Sequence, residues 1–551
     1  MALSPPPYQT EDGAAPPPTY PKEADPVEQA FDEQQQASTS TVPLPTADPL
    51  PSYWLQTSRA PSSSQGVFDG SSMDHSGEWQ DDVDVAIIGS GITGISAAYH
   101  LAHQLPASVG PSASLRRIGL YEARDFCSGA TGRNGGHLTA SSVLAYSDLA
   151  SNPSHLARFM GATPSDHWGS DKGTVTDETI RRMLTLEART VAELLMIVRM
   201  DALRTKKRRA AAAAAGSAST SEADPSEQDP ELVFGANWHI CETQEEVDGF
   251  SDSIEAAKRA GLSDFALQVR RVPETEWKAK LREPSGVSGV FEIPGGTVHP
   301  RRLVGLLWRA ARAEASKKQI ALHTWTNTPV TEVQSSSHNF GNVLQTRRGP
   351  VRAKYVIHAT NGYAAHLLSS SHRDPQKCII PTRGQCIAVK PTSSPNEGEP
   401  LWTMGFSLNS GYEYLQQRPA SNSGETPPCI LGGGRQSAKG FEWNVADDSK
   451  TDDNVHTYLD QLLPKMFPAN FEQSKSKADL EWTGIMGFTK SKDPLVGPVV
   501  GGQDDEGQLP GQYISAGYSG HGMPRAFSCA EIVVDMIMAE ERGQQWQPPV
   551  W

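Results

Sequence analysis

Apolar and polar positions along this chain alternate between a strand period and a helix period. Val83-Asp-Val-Ala-Ile-Ile88 is a short run of buried-strand type, and Gly91 to Gln104 then places Ile92, Ile95, Ala98, Tyr99 and Ala102 at helical spacing. After a loop, Arg117-Ile-Gly-Leu-Tyr121 predicts a second strand. Asp177 to Leu203 predicts a long amphipathic helix, with Ile180, Leu184, Val191, Leu194, Leu195 and Val198 on or near one face. Pro300 to Ala315, with proline in its first turn after His299, predicts another helix. Tyr355 to Ala359 predicts a strand and Met523 to Glu540 a final helix. A βαβ opening with a mixed middle predicts an α/β chain: a discontinuous, doubly wound Rossmann-type nucleotide domain into which an antiparallel-sheet-plus-helix substrate domain is inserted. The expected nucleotide-domain pieces are 51–175, 296–380 and 481–551, and the expected substrate-domain pieces are 176–295 and 381–480.

Two stretches break the pattern. Residues 1–50 are Pro-rich with few large apolar side chains, which predicts a disordered tail, since such a segment cannot offset its ordering entropy by burial. The tail carries two PPxY stretches, Pro5-Pro6-Pro7-Tyr8 and Pro17-Pro18-Thr19-Tyr20, the polyproline-plus-tyrosine form that fits the aromatic groove of a WW domain. Residues 204–231 hold a basic cluster (Lys206, Lys207, Arg208, Arg209), an alanine run and then acidic and hydroxyl residues, which predicts a solvated insertion.

Charge sharpens this division. The chain of 551 residues has a formal net charge of −15, but its first 82 residues hold 13 Asp/Glu against only Lys22 and Arg59. The folded body is therefore close to neutral and lacks the basic surface that general nucleic-acid binding needs. The six cysteines form no CxxC pair and no ligand spacing, so neither a metal site nor a disulfide framework is expected. No basic-plus-apolar leader and no apolar run of 18 residues is present, and a cytoplasmic location away from membranes is the expectation.

The chemistry begins at Gly89-Ser90-Gly91-Ile92-Thr93-Gly94, a GxGxxG that follows the first strand and opens the first helix. Its glycines permit the tight turn, the approach of backbone to a pyrophosphate and close helix–strand packing. The helix N-terminus then favours phosphate. Glu122 ends the second strand, where a carboxylate accepts hydrogen bonds from ribose hydroxyls. A single complete GxGxxG suits a flavin that takes electrons directly from a substrate better than separate flavin and nicotinamide domains.

From Tyr53 to Ala539 the chain resembles the D-amino-acid oxidase, glycine oxidase and sarcosine oxidase family of FAD-dependent oxidoreductases. The resemblance rests on ordered segments: the glycine turn, Glu122-Ala123-Arg124, Ser128-Gly-Ala-Thr-Gly-Arg-Asn-Gly-Gly-His-Leu138, Gly296-Thr-Val-His299-Pro300, Val356-Ile-His-Ala-Thr-Asn-Gly-Tyr363, Pro381-Thr-Arg-Gly-Gln385 and Gly517-Tyr-Ser-Gly-His-Gly-Met523. It implies FAD contacts from Gly89, Ser90, Gly91, Thr93, Gly94, Glu122, Ala123, Arg124, Thr131, Arg133, Asn134, Gly135, Gly136, His137, Leu138, Val330, Thr360, Asn361, Gly362, Gly517, Gly520, His521, Gly522 and Met523. Where relatives attach FAD covalently through Cys or His, this chain has Gly484 and Asn134, so noncovalent FAD is implied. The implied reaction removes a hydride equivalent from the carbon beside an amine and delivers it to flavin N5, with O2 or another acceptor reoxidising the flavin. Hydride transfer needs alignment and exclusion of water more than an acid–base pair. His521, Tyr412, Tyr414 and Arg383 are the expected catalytic residues, and an amino-acid carboxylate would be held by an arginine fork drawn from Arg383, Arg418 or Arg435.

Two other readings fit the same residues: a flavin-binding adaptor that recruits WW-domain proteins through its tail, and a biosynthetic flavoenzyme acting on a larger metabolite. The adaptor reading predicts that changing Tyr8 and Tyr20 to Ala abolishes WW-domain binding in a pull-down with full-length protein. Undiminished capture by the double variant would exclude those motifs as the ligand.

Overall fold

The structure is a computed structural model that describes residues 42–58, 79–107, 115–151, 177–214, 229–335, 341–368, 378–394, 398–420, 424–500 and 508–549. Both PPxY stretches lie outside these residues. Two sheets carry the architecture. In the first, the run Val83–Ile88 becomes the strand Asp82–Ile88, which sits between parallel neighbours Gly349–His358 and Arg117–Tyr121. Ala321–Trp325 extends the parallel set on one side and Gln508–Ala516 on the other; Leu495–Val500 closes that edge antiparallel. Near-continuous apolar strands of this kind need cover on both faces. Helices Ile92–Gln104, Pro300–Lys317 and Ala526–Glu541 cover one face, with Ile95, Leu307 and Val533 in the same core as Val85 and Ile118. On the other face Tyr121 stacks on Trp325 at 5.1 Å.

The second sheet is largely antiparallel. Its strand order runs from Ala478–Phe488 through Ile380–Val389, Cys429–Gly433, Glu413–Gln417, Gly405–Leu408 and Val233–Cys241 to Gly289–Thr297 and the short edge strand His137–Leu138. Helix Asp453–Met466 buries Leu459 and Leu463 against Trp238, Phe406 and Leu431 of this sheet. The α/β expectation of a Rossmann-type sheet plus an inserted antiparallel sheet with helices therefore holds.

Several expected boundaries move, each for a packing reason. Ala478–Phe488 pairs along its length with Ile380–Val389, so the second sheet continues past residue 480. His137–Leu138 crosses into that sheet by pairing with Gly296–Thr297, although it lies in the first nucleotide-domain piece. The long helix spans Asp177–Ala214 and takes up the basic cluster that composition placed in a solvated insertion; Lys206, Lys207 and Arg208 are exposed on it. Its Val191, Leu194, Leu195 and Val198 belong to the core of the first sheet rather than to the second domain. Among the described residues, no helix is long and apolar enough to cross a membrane.

The tail also ends earlier than its proline content suggests, because Val42–Ser58 is a strap packed on the body. Val42 and Trp54 are buried, Thr46 Oγ1 donates to Asp448 Oδ1 at 2.6 Å, and Leu50 N–H donates to the Asp448 carbonyl at 3.0 Å. Short helix Tyr53–Thr57 is capped by Ser52, whose own hydroxyl donates to the Gly132 carbonyl at 2.6 Å, while the Trp54 indole N–H donates to the Asn134 carbonyl at 2.6 Å. Asp448 accepts from Arg124 at 2.9 Å and lies 3.4 Å from Arg133. Removing one partner of a buried ion pair costs about 3–5 kcal/mol. Asp448→Asn is expected to lower the urea-unfolding free energy by about that amount, and a loss below about 1 kcal/mol would show that the strap does not depend on this carboxylate.

Candidate functional site

One cavity of about 710 Å³ is lined by residues of both sheets. At its nucleotide end Gly89 has φ +107°, and a Cβ there would lie 2.7 Å from the Ala359 carbonyl oxygen. A Cβ on Gly94 would lie 1.9 Å from the Gly89 oxygen, so the helix can approach the turn this closely only with glycine. Gly91 differs: its Cβ would meet only Thr131 Oγ1, at 3.3 Å, and the residue lines the cavity. As N-cap it has no side chain, and Thr131 Oγ1 accepts the Ile92 N–H at 3.1 Å in its place.

Glu122 also lines the cavity, and the chain fixes its carboxylate from two sides. Ser90 donates to Oε2 through N–H (2.9 Å) and Oγ (2.7 Å), and the Arg124 N–H donates to Oε1 at 3.0 Å. Ser90 is thus placed behind Glu122 rather than on the cavity wall. All the expected cofactor positions line the cavity except Ser90, Gly94, Leu138, Gly362 and Gly517. Leu138 is core, and a Cβ on Gly362 or Gly517 would lie 2.4 Å from the Met486 oxygen or 2.7 Å from Thr489 Cγ2. Asn361 Oδ1 ties this region together by accepting the Gly517 N–H at 3.0 Å.

Between the two ends lies the loop 128–138. The Arg133 side chain is fully buried; its Nε donates to the Ser128 carbonyl and its Nη1 to those of Leu50 and Thr483 at 2.7 to 2.9 Å. Among the described residues its Nη2 has no hydrogen-bond partner, and neither has Thr360 Oγ1, on another cavity-lining residue. Burial pushes the Arg133 guanidinium down to about 10 in spite of Asp448. His137 is pushed down to about 4 by burial and is neutral at physiological pH; its Nε2–H donates to the Leu415 carbonyl at 3.2 Å.

At the far end the structure separates the three arginines. Arg383, expected to be catalytic, does not line the cavity: its Nε is ion-paired with Glu442 and its Nη1 donates to the Asp447 and Lys450 carbonyls, so its fork is occupied inside the protein. Arg418 is held by Glu231 at 2.5 Å and lies over the Trp54 ring. Arg435 does line the cavity, at the turn after Gly433-Gly434, with its guanidinium 4.8 Å from the Trp443 ring and 5.0 Å from that of Phe488. Tyr412 and Tyr414 line the same end. The Tyr414 hydroxyl lies 3.4 Å from Cys386 Sγ, and its ring fills the space over Gly135 and Gly432.

His521 lines the cavity beside Gly522 and Met523, which precede the last helix. Its Nε2 is 3.0 Å from Glu187 Oε2 and 3.2 Å from Ser141 Oγ. Glu187 was not singled out in the sequence, yet it falls in the i, i+3, i+4 series of Ile180, Leu184 and Val191; a carboxylate on an apolar face is a signal that can be read. His239 and Phe250 are further wall residues that sequence reasoning missed, with ring centroids 4.6 Å apart. Burial pushes His239 down to about 4.

A parallel sheet with a glycine turn, a fixed carboxylate at the second strand and a cavity lined from both sheets defines a dinucleotide-binding α/β protein. The family model for FAD dependent oxidoreductases (DAO) matches residues 84–536, and the chain belongs to this family, with FAD as its cofactor. It is 23% identical to the probable oxidoreductase OrdL of Rhizobium meliloti over 83% of each chain. It is also 23% identical to the protein of the same name from Haemophilus influenzae, over 53% of this chain and 58% of that one, so the match spans less than two thirds of that relative. Among solved structures, glycine oxidase from Geobacillus kaustophilus aligns at a TM-score of 0.54 with 18% identity, over 85% of this chain and 97% of that one. L-proline dehydrogenase from P. horikoshii aligns at 0.55 with 17% identity, over 86% and 96%.

The residues present fit the cofactor. Gly91 lines the cavity where a pyrophosphate would approach, with only Thr131 Oγ1 within 4 Å of a Cβ built there, and Arg133 brings an under-satisfied buried cation to the same cavity. Gly91→Val places a branched side chain in that space. The expected result is a folded variant that loses most of its bound flavin, read as the flavin-to-protein absorbance ratio; stoichiometric flavin would overturn the assignment of this turn.

Proposed function

We propose that this chain oxidises a C–N bond of an amine or amino acid, with noncovalent FAD as the two-electron acceptor and O2 reoxidising it to give H2O2. The observation that carries this reading is the continuity of one cavity from Gly91 and Glu122 to Arg435, Tyr412 and Tyr414. Glycine oxidase and L-proline dehydrogenase, which share the fold, act on amino acids by name.

FAD supplies the electron sink; the chain supplies position and environment. Arg435, braced between Trp443 and Phe488, recognises a substrate carboxylate at the end of the cavity away from Gly91. Tyr414 and Tyr412, which line the same part of the cavity, would bound the substrate's space. His239, Phe250 and Ile293 form a wall with no charge at neutral pH, which keeps water from the reacting carbon. His521 is the group placed to accept the proton that a substrate ammonium must lose before its carbon can give up hydride. Noncovalent attachment is supported by Gly484, where even a Cβ would lie 2.7 Å from Arg133 Cβ, and by Cys386, whose thiol burial pushes up to about 12.

Purified protein should be yellow and should bleach anaerobically with an amine or amino acid from a broad panel, then recover its colour in air with release of peroxide. Flavin that no panel member reduces would sink the proposal. With the best carboxylate-bearing substrate, Arg435→Met is expected to raise KM about 10–100-fold, the equivalent of about 1.5–3 kcal/mol. A carboxylate-free amine should show little change.

A further inference from the structure

The long helix Asp177–Ala214 sends one carboxylate, Glu187, through the protein interior to the cavity wall, where its side chain has no solvent exposure. Its Oε1 accepts from Arg525 Nε at 2.7 Å, and its Oε2 accepts from the Ser141 N–H at 2.6 Å and meets His521 Nε2 at 3.0 Å. Arg525 in turn lies 3.6 Å from Asp493 and donates to the Lys492 carbonyl at 3.5 Å. One carboxylate therefore holds two cavity-lining residues, Ser141 and His521, directly, and reaches a third, Lys492, through Arg525.

A purely structural staple between the long helix and the last one would need only Glu187 and Arg525. The second oxygen is what departs from that, because it is directed at a ring nitrogen of the cavity histidine. We infer that Glu187 is a positioning residue for His521: it holds the imidazole as the Nε2–H tautomer and so presents Nδ1 to the cavity as the proton-accepting atom.

The chemistry admits one arrangement. Burial alone would favour a protonated Glu187, but Arg525, His521 and the Ser141 N–H together hold it well below the usual carboxylate range, so it is ionised and can only accept. A bare Nε2 would set two lone pairs against each other at 3.0 Å, so Nε2 carries hydrogen. Among the described residues Nδ1 has no protein partner, and the His521 side chain is 39% exposed on the cavity side of the pair. In the neutral ring Nδ1 then bears the lone pair. The groups that set this ring's state are Glu187 and Ser141 by contact, with Arg525, Asp493 and the Lys492 segment behind them. A proton leaving a substrate ammonium passes to Nδ1, giving an imidazolium whose charge the Glu187 carboxylate opposes; no bond other than N–H is made or broken.

This inference rests on the amine-oxidising reading for the source of the proton, but its test needs no substrate. Two-bond ring 1H–15N correlation spectra of 15N-histidine-labelled, FAD-bound full-length protein report each histidine's tautomer, and the His521 signals are identified by their absence in H521N. The expected spectrum at alkaline pH has His521 protonated at Nε2 and bare at Nδ1. In E187Q the ring is expected to become a mixture of tautomers, with E187D restoring the native pattern. An Nδ1–H tautomer in the native protein overturns the inference, as does a folded E187Q whose His521 tautomer is unchanged. If E187Q fails to fold because Arg525 is left unbalanced, the native spectrum alone decides. A protein whose flavin no amine reduces would overturn the proposed function while leaving the tautomer to decide this point.

Discussion

Asp448 holds the two halves of this protein around their common cavity. Its buried carboxylate meets Arg124 and Arg133 from the nucleotide side and the strap residue Thr46 from the N-terminal side, while its own backbone belongs to the second domain. One negative charge cannot balance two buried guanidiniums. Arg133 keeps one nitrogen without a hydrogen-bond partner among the described residues, and burial, aided by the neighbouring Arg124 charge, outweighs Asp448 and pushes its guanidinium down to about 10. A buried site left short of negative charge is costly in the free protein. An anionic dinucleotide entering the same cavity supplies what is missing, so cofactor binding and the docking of strap, loop and second domain are linked in free energy.

The same economy governs the polar groups around the glycine turn. Ser90 has no place on the cavity wall, yet without its two hydrogen bonds the Glu122 carboxylate would be free to turn away from it. Thr131 caps a helix whose N-cap glycine cannot cap itself. Asn361 holds the Gly517 segment to the end of the central strand. Ser90 thus acts through its neighbour Glu122, while Thr131 and Asn361 line the cavity and also fix the backbone beside it.

Local periodicity made much of this fold legible. The central strand and its two parallel neighbours, the first helix and the last helix were readable because their cores are continuous apolar runs or clear helical stripes, whereas the outer parallel strands Ala321–Trp325 and Gln508–Ala516 were not read; the glycine turn was readable because sterics leave few alternatives at Gly89 and Gly94. What could not be read depends on pairing across long sequence separations. The strand Ala478–Phe488 joins the second sheet through register with Ile380–Val389, a property of neither segment alone. Proline content suggested a tail to residue 50, but the strap is held by Trp54 and by Asp448, some 400 residues away in sequence. The arginines are the sharpest case. Arg383, Arg418 and Arg435 look equivalent in sequence, and only their partners Glu442, Glu231 and the Trp443–Phe488 pair distinguish the two that are structural from the one on the wall.

The histidines of the cavity differ in the same way. Burial holds His137 and His239 neutral throughout the physiological range, and His366 lies against the Val42 carbonyl of the strap at 2.8 Å. The buried rings of His137 and His239 shape and orient; they add no charge that changes near neutral pH. His521 alone among the four touches a carboxylate, and that carboxylate is kept ionised by Arg525. Two rings held neutral by burial and a single ring backed by a fixed anion would suit the proposed reaction, which must move one proton and one hydride in different directions. In the proposed reaction, proton transfer would be confined to the face near His521, and the uncharged part of the wall formed by His239, Phe250 and Ile293 would keep competing water away.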